Sequence, residues 1–492
     1  MGCQQRHAHP SDHIHDLINH SRPRQCVPPL RRTKTRPSRA VIVSASSSSI
    51  SGSGSSSSSS SAPGGMNPFL TVVAPTGLAL MLCNMDRICL SIAILPMSQE
   101  FGWHPSMQGI VQSAFLYGYM ATQLLGGALA DKYGGKIVMA AGIAWFSVAS
   151  LLLPAAISAP VVAAGLTVPA ILLARCLVGL GEGVALPTMS NMIAKYVPKE
   201  AKGRALGLAF SGFHSGNLLG LLLSPLILMN FGWRALFYTF GLCGVPLLLL
   251  WMAVHHQHHQ QQQQQQLERR VVCRKSRRGS RDVSGSSGAD VTIGQLLSSR
   301  ATWAIILVNI VNHWGYFIYL NWMPTYFNQA LGFDLRSSSF LAFLPWLVMA
   351  CGSSASGLLA DTLVARGVPV TNVRKALQTV AFLIPAIALQ VLSQPGITPT
   401  AAVACMTVAL GTTSLGQAGF VANMSDIAPN AAGKMFGLCN TFGSLSGILG
   451  VTAVGFIVEA TKSFAPVFQL TSALYVLGTI AWLCMCTGER VF

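Results

Sequence analysis

Four charged residues stand inside otherwise apolar stretches: Asp86 beside Arg87, and Arg175 seven residues before Glu182. On the lenient insertion scale each such charge costs ~2.5–3.5 kcal/mol at the centre of a bilayer, so four unpaired ones would cost on the order of 10 kcal/mol. Helix packing alone could be achieved with apolar residues, so the set reads as functional rather than as a neutralised structural network. Two guanidiniums offer forked donors to a carboxylate or a phosphate. Two carboxyls could bind a proton or sodium, or relay a change in ion pairing. Seven residues of helix make nearly two turns, which puts Arg175 and Glu182 on one face about 10 Å apart. The chemistry implied is recognition of an anion beside an acid that responds to a cation.

Other polar groups fall in the same stretches. Tyr119 and Asn440 could line a cavity, whereas His214 and His313 read as hydrogen-bonded packing residues. The 12 cysteines are scattered without a CxxC pair, so neither a disulfide framework nor a metal site is indicated. No GxxxxGK[ST] loop occurs, which leaves ATP-driven work unsupported, and no cofactor is expected. An enzyme would need a nucleophile–base or metal constellation, and none is visible.

Membrane-spanning helices must position these charges. Only 10% of the 492 residues are charged and 51% are hydrophobic, against roughly 25% charged in ordinary soluble proteins. Apolar runs of about 20 residues, enough to cross ~30 Å of hydrocarbon, recur from residue 69 onward. They predict twelve spans: 69–95, 106–130, 137–157, 168–194, 205–228 and 233–254, then 301–325, 338–362, 373–393, 398–422, 433–459 and 465–486. The fold class is therefore all-α and integral to a membrane, with a six-helix half over 66–254 and another over 301–492.

The net charge of +17 is concentrated, with half of the Lys and Arg in residues 1–65 and 255–300. Residues 1–65 are Arg-rich, Ser-rich and nearly free of acids, the composition of an organelle transit peptide. Their length and serine content favour a plastid, with removal between Ala45 and Ala62. Residues 255–300 read as a disordered His/Gln-rich basic loop, whose histidines could bind metal but which is better explained as an inserted linker. Neither stretch has interleaved aromatics or a nucleic-acid-binding fold, so the expected partners are membrane lipid and a small anion. The sequence names no oligomeric partner. Lys132, Lys136, Lys195, Arg366, Arg374 and Lys434 fall in alternate loops, so both mature ends and the central loop share one positive side.

The halves repeat one another. Asn84 and Pro96 match Asn312 and Pro324 in separation, and Gly127–Asp131 (GALAD) matches Gly357–Asp361 (GLLAD). Gly203 and Gly207 follow Pro198 as Gly433 and Gly437 follow Pro429, and small residues at this spacing allow close helix approach. Duplication of this kind organises secondary transporters that bind cargo near the midplane between repeats.

These motifs carry a resemblance. GALADKYGGK, from Gly127 to Lys136, is similar to the GxLaDxxGxk signature of the major facilitator superfamily. CNMDRICLSIAILPMSQEFGW (Cys83 to Trp103) and LLARCLVGLGEGVALPTMSNMIAKYVP (Leu172 to Pro198) resemble the first and fourth helices of its anion:cation symporter family. NHWGYFIYLNWMPTYFNQALG (Asn312 to Gly332) and ANMSDIAPNAAGKMFGLCNTFGSLSGILG (Ala422 to Gly450) resemble its plant plastid branch. The resemblance implies a rocker-switch carrier of the major facilitator fold in a plastid membrane, envelope or thylakoid, with the positive side in the stroma. It implies anion recognition by Arg87 and Arg175 and ion coupling through Asp86 and Glu182. Gly127, Asp131, Lys136 and Asp361 would form a conformational latch. The implied cargo is inorganic phosphate moved with sodium or a proton, the alternatives being ascorbate or another organic anion, or a non-transporting sensor. Gln112 stands where glutamate carriers of the family have His, which weakens a glutamate reading.

Overall fold

The computed structural model describes residues 69–197, 202–275 and 291–492. The expected transit peptide lies outside them, as do residues 276–290 of the central loop and the side chain of Asp131. Every described element is helical. Hydrocarbon offers backbone groups no hydrogen bonds, so each span must satisfy its own as helix.

The first half comprises α1 (Ala74–Phe101), α2 (Pro105–Tyr133), α3 (Gly135–Leu152), α4a (Thr167–Glu182) and α4b (Ala185–Tyr196). A single helical run, Lys202–Lys275, follows, and Gly232 breaks it into α5 (202–231) and α6 (233–275). At Gly232 φ is 78°, a left-handed conformation that glycine adopts without penalty. The second half comprises α7 (Arg300–Thr325), α8 (Leu335–Ala365), α9 (Val370–Leu392), α10a (Pro399–Thr413), α10b (Phe420–Ile427), α11 (Ala432–Thr461) and α12 (Ala465–Met485).

Ten segments are apolar and long enough to span a membrane, among them a 50-residue stretch, Ala205–Val254. That stretch is the α5–α6 pair, and α2 supplies the twelfth span among the described residues. At 29 residues α2 is long enough, but Gln108, Gln112, Ser113 and Gln123 dilute its apolar character. Helical backbone also continues past residue 254 to Lys275, and a short helix, Ile293–Leu297, precedes α7 with Thr292 and Gln295 forming a reciprocal cap.

Spans four and ten are broken, at equivalent places in the two halves. α4a gives way to α4b at Gly183, and α10a passes through a tight turn, Ser414–Gln417, before α10b. Hydropathy shows each as one continuous span, because a break that keeps apolar residues on both sides leaves no hydropathy signal.

Close packing depends on bare backbone, though not at Gly207, Gly433 and Gly437 of the repeat. A Cβ on Gly207, Gly433 or Gly437 would meet nothing within 4 Å. The tight approach lies one to two turns further along. On α5, Gly212 faces the backbone of Gly77, and Gly216 and Gly220 lie against Met81, Met85 and Ile88 of α1. On α11, Gly443 and Gly447 receive His313 and Phe317 of α7.

The halves are joined on the less basic side. Thr452 donates to Ser113 at 3.0 Å, the Ser106 amide donates to Glu459 at 3.1 Å, and Gly109 and Gly455 sit in the α2–α11 crossing. Toward the basic side, Gly127 and Gly357 face open space. There, the one-residue turn between α2 and α3 is Gly134, with φ of 89°. Lys136 begins α3 with its ammonium 4.8 Å from the Tyr196 ring at the end of α4b. In the second half Arg374, in the second turn of α9, plays the matching part. Its Nε donates to Asp426 of α10b at 2.7 Å and its Nη1 to the Ala418 carbonyl at 2.8 Å. Asp361 is exposed. The residues after α12 tie down the same corner, with the Val491 and Phe492 amides both donating to the Ile427 carbonyl at 2.9 Å.

The stripe on α5 is testable. Gly212→Ala places a methyl against the Gly77 backbone and should cost about 1–3 kcal/mol, whereas Gly207→Ala should be neutral or mildly stabilising. Thermal melting of the detergent-solubilised protein reads both, and equal midpoints would contradict the packing.

Candidate functional site

The charged residues are held by two glycine-lined crossings. One is the α5 stripe that seats α1, where Asp86 is fully buried and Arg87 is 6% exposed. The other locks α2 to α4a. A Cβ on Gly118 would overlap the Cys176 carbonyl, one on Gly179 the Phe115 carbonyl, and one on Gly183 the Tyr119 carbonyl. These three glycines fix the height of Phe115 and Tyr119 against Arg175 and Glu182. They also bring the α4 break to the end of the turn that carries Glu182.

The four charges divide into two sets. Arg87 Nη2 donates to Glu182 Oε2 at 2.9 Å. Asp86 turns the other way, accepting from Ser150 Oγ of α3 at 3.0 Å and lying within Coulombic reach of Arg175. Arg175 and Glu182 are each 1% exposed. Two aromatic rings of α2 contribute further. The Arg87 guanidinium lies 4.8 Å from the Phe115 centroid and 4.5 Å from that of Tyr119, and Arg175 lies 5.3 Å from Phe115. The two rings stack at 5.5 Å.

Hydrogen bonding at this centre is incomplete. Asp86 Oδ2, Glu182 Oε1, Arg87 Nε and both Nε and Nη1 of Arg175 are buried with no partner among the described residues. A buried donor or acceptor left unmade costs ~1–3 kcal/mol, more when charged, so folding stability alone does not explain the arrangement.

Beside the centre lies a cavity between the halves offering about 100 Å³ to water-sized molecules, several times the ~10–15 Å³ that one water needs. Arg87, Tyr119 and Gln123 line it from the first half, and Asn312, Tyr316 and Asn440 from the second. Of the expected binding residues, Arg87, Tyr119 and Asn440 therefore face the cavity. Arg175 does not, and neither do Asp86 and Glu182; they stand behind its wall in this conformation. His214 and His313, expected in packing, also line the cavity, although His313 Nδ1 does contact the Asn309 carbonyl at 3.0 Å. Tyr316 and Gln417 were not visible as site residues from sequence. The signal for the former was present: Asn309, Asn312, His313 and Tyr316 recur at helical spacing along one apolar span. Gln417 belongs to the turn in span ten, which no periodicity reveals. Among the described residues no cluster of His, Cys, Asp and Glu could hold a metal ion.

Residues 76–486 match the Major Facilitator Superfamily. The chain is 42% identical over 422 residues to "Probable anion transporter 4, chloroplastic" of Oryza sativa subsp. japonica, covering 86% of this chain and 69% of that protein. It is 42% identical over 413 residues to "Sodium-dependent phosphate transport protein 1, chloroplastic" of Arabidopsis thaliana, covering 84% and 78% of the two chains. Identity to the Arabidopsis "Ascorbate transporter, chloroplastic" is 41% over 413 residues, covering 84% and 74%. Among solved structures, that of a D-xylose-proton symporter superposes with a TM-score of 0.69 at 16% identity, covering 86% of this chain and all of that one. At that identity the likeness concerns the fold.

The buried Arg87–Glu182 pair predicts a double-mutant signature. Removing one partner should destabilise by ~3–5 kcal/mol, because it strands a buried charge, while replacing both with leucine should be far milder. Thermal melting of Glu182→Ala against the double variant Arg87→Leu/Glu182→Leu measures this. Additive losses would contradict the pairing.

Proposed function

The chain belongs to the Major Facilitator Superfamily, and on that premise we propose that it carries inorganic phosphate across a plastid membrane, driven by sodium or protons. It is a transporter and not an enzyme. The observation that carries the reading is Arg87: a guanidinium at the wall of a cavity that Tyr119, Asn312 and Asn440 also line, whose Nη2 donates to Glu182 while its Nε lacks a partner among the described residues.

Arg87 can offer an oxyanion its unmade donors, and an anion that takes up the guanidinium's charge weakens the bond to Glu182. The anion takes the guanidinium, and the released carboxylate, in a low-dielectric site, requires a cation. A sodium ion or proton satisfies it. Cargo and driving ion are thereby linked through one ion pair, while Asp86 and Arg175 hold the wall behind. Small cavity volume suits phosphate, as does Arg87, the one Lys or Arg among the described residues that line it. Tyr119, Asn312 and Asn440 can donate to its oxygens.

Transport follows from the two halves rocking about the midplane. Closing the basic side would bring α2 toward α11 and α5 toward α8, and opening the other would part Ser113 from Thr452 and Ser106 from Glu459. Lys136 against Tyr196 and Arg374 against Asp426 are placed to hold each half's basic corner as one body. The basic side would face the stroma, as the positive-inside rule directs.

A second reading rests on the aromatic residues of the cavity, Phe210, Phe213, Phe317 and Phe436, which would suit an organic anion such as ascorbate. Proteoliposome uptake of radiolabelled phosphate, under separate sodium and proton gradients and with unlabelled ascorbate, glutamate and phosphate as competitors, decides between them. Saturable phosphate uptake driven by one gradient and blocked by phosphate is expected. Preferential inhibition by ascorbate would move the assignment to the organic anion. Unchanged kinetics in Arg87→Ala would overturn the placement of the site.

A further inference from the structure

Arg175 presents a problem the ion pairs do not solve. It is a cation 1% exposed, with Nε and Nη1 both lacking a hydrogen-bond partner among the described residues. It does not reach the cavity, yet its unmade bonds are those of a group awaiting a ligand. Its guanidinium lies 5.3 Å from the centre of the Phe115 ring, and the same ring lies 4.8 Å from the Arg87 guanidinium. Phe115 is itself 2% exposed, and its carbonyl abuts Gly179, so its backbone cannot shift relative to α4a. Tyr119 stacks on it from the cavity side.

We propose that Phe115 is a positioning residue for anion binding: its ring is the shared seat of Arg87 and Arg175. Two guanidiniums near one another repel, and more so away from water. A π-face attracts both, most strongly where water is excluded. The ring thus keeps Arg175 oriented, with its donors free, directly behind the arginine that first meets the cargo. An anion drawn past Arg87 then finds a second set of donors already aimed. Removing the aromatic face while keeping the volume would let Arg175 turn toward Asp86, and the second set would be lost. The proposal rests on the reading of the site as an anion site.

The test compares Phe115→Leu and Phe115→Met, which keep apolar volume without a π-face, with Phe115→Tyr, which restores the face. Each is reconstituted with wild type and assayed for phosphate uptake, after monodispersity in detergent is confirmed. Leucine and methionine should each raise KM by ~3- to 30-fold, the range set by one cation–π contact, with maximal rate little changed. Tyrosine should return KM to within about twofold of wild type, a rescue expected from a contact of this kind. The methionine variant decides the matter if the leucine variant does not fold. Wild-type KM in either of these variants, or equal loss in the tyrosine variant, overturns the seat while leaving the anion reading intact. Wild-type vesicles that carry no anion overturn both.

Discussion

A buried ion pair with one bond made and others unmade governs this protein. Arg87 and Glu182 meet at 2.9 Å although they stand 95 residues apart, on α1 and α4a. An ion pair so placed is poor at stabilising a fold, because desolvating both charges offsets most of their attraction. It is well suited to being exchanged. In the proposed cycle, an anion that competes for Arg87 must leave Glu182 provided for, and a cation that satisfies Glu182 makes Arg87 available. The surrounding structure serves to keep that exchange local: α5 lies flush on α1, α2 interlocks with α4a, and the α4 break follows Glu182 directly.

In the proposed cycle, the remaining architecture turns that local exchange into movement. Across the halves, Thr452 to Ser113 joins two neutral hydroxyls and the Ser106 amide meets the partly exposed Glu459 carboxylate, bonds that can part at small cost because each group can find another partner. The basic corners are braced differently, by Lys136 over Tyr196 and by the Arg374–Asp426 pair with its carbonyl contact. Weak joints between halves and firm joints within them are what rigid-body rocking needs.

Much of this was legible in the residues. Apolar run lengths set twelve spans, and the cost of charge in hydrocarbon pointed to Asp86, Arg87, Arg175 and Glu182. What was not legible has physical causes. Hydropathy averages over a window, so it passes over the breaks at Gly183 and at Ser414–Gln417, where apolar composition continues. Helical spacing places Arg175 and Glu182 on one face but cannot say that Phe115 packs against both Arg87 and Arg175, since that depends on how closely α2 approaches α4a. That approach is set by Gly118, Gly179 and Gly183, whereas the repeat drew attention to Gly207 and Gly437, which meet nothing. His214 and His313 looked like packing, and Tyr316 drew no notice, because one helix alone does not reveal that its polar side faces a gap between halves.

The central claim is that cargo and driving ion act through the same carboxylate. Glu182→Gln keeps the shape and a hydrogen-bonding oxygen but removes the charge. In proteoliposomes this variant should still exchange internal for external phosphate while failing to accumulate phosphate against its gradient under either an imposed sodium or an imposed proton gradient. Gradient-driven accumulation at the wild-type level would contradict the account.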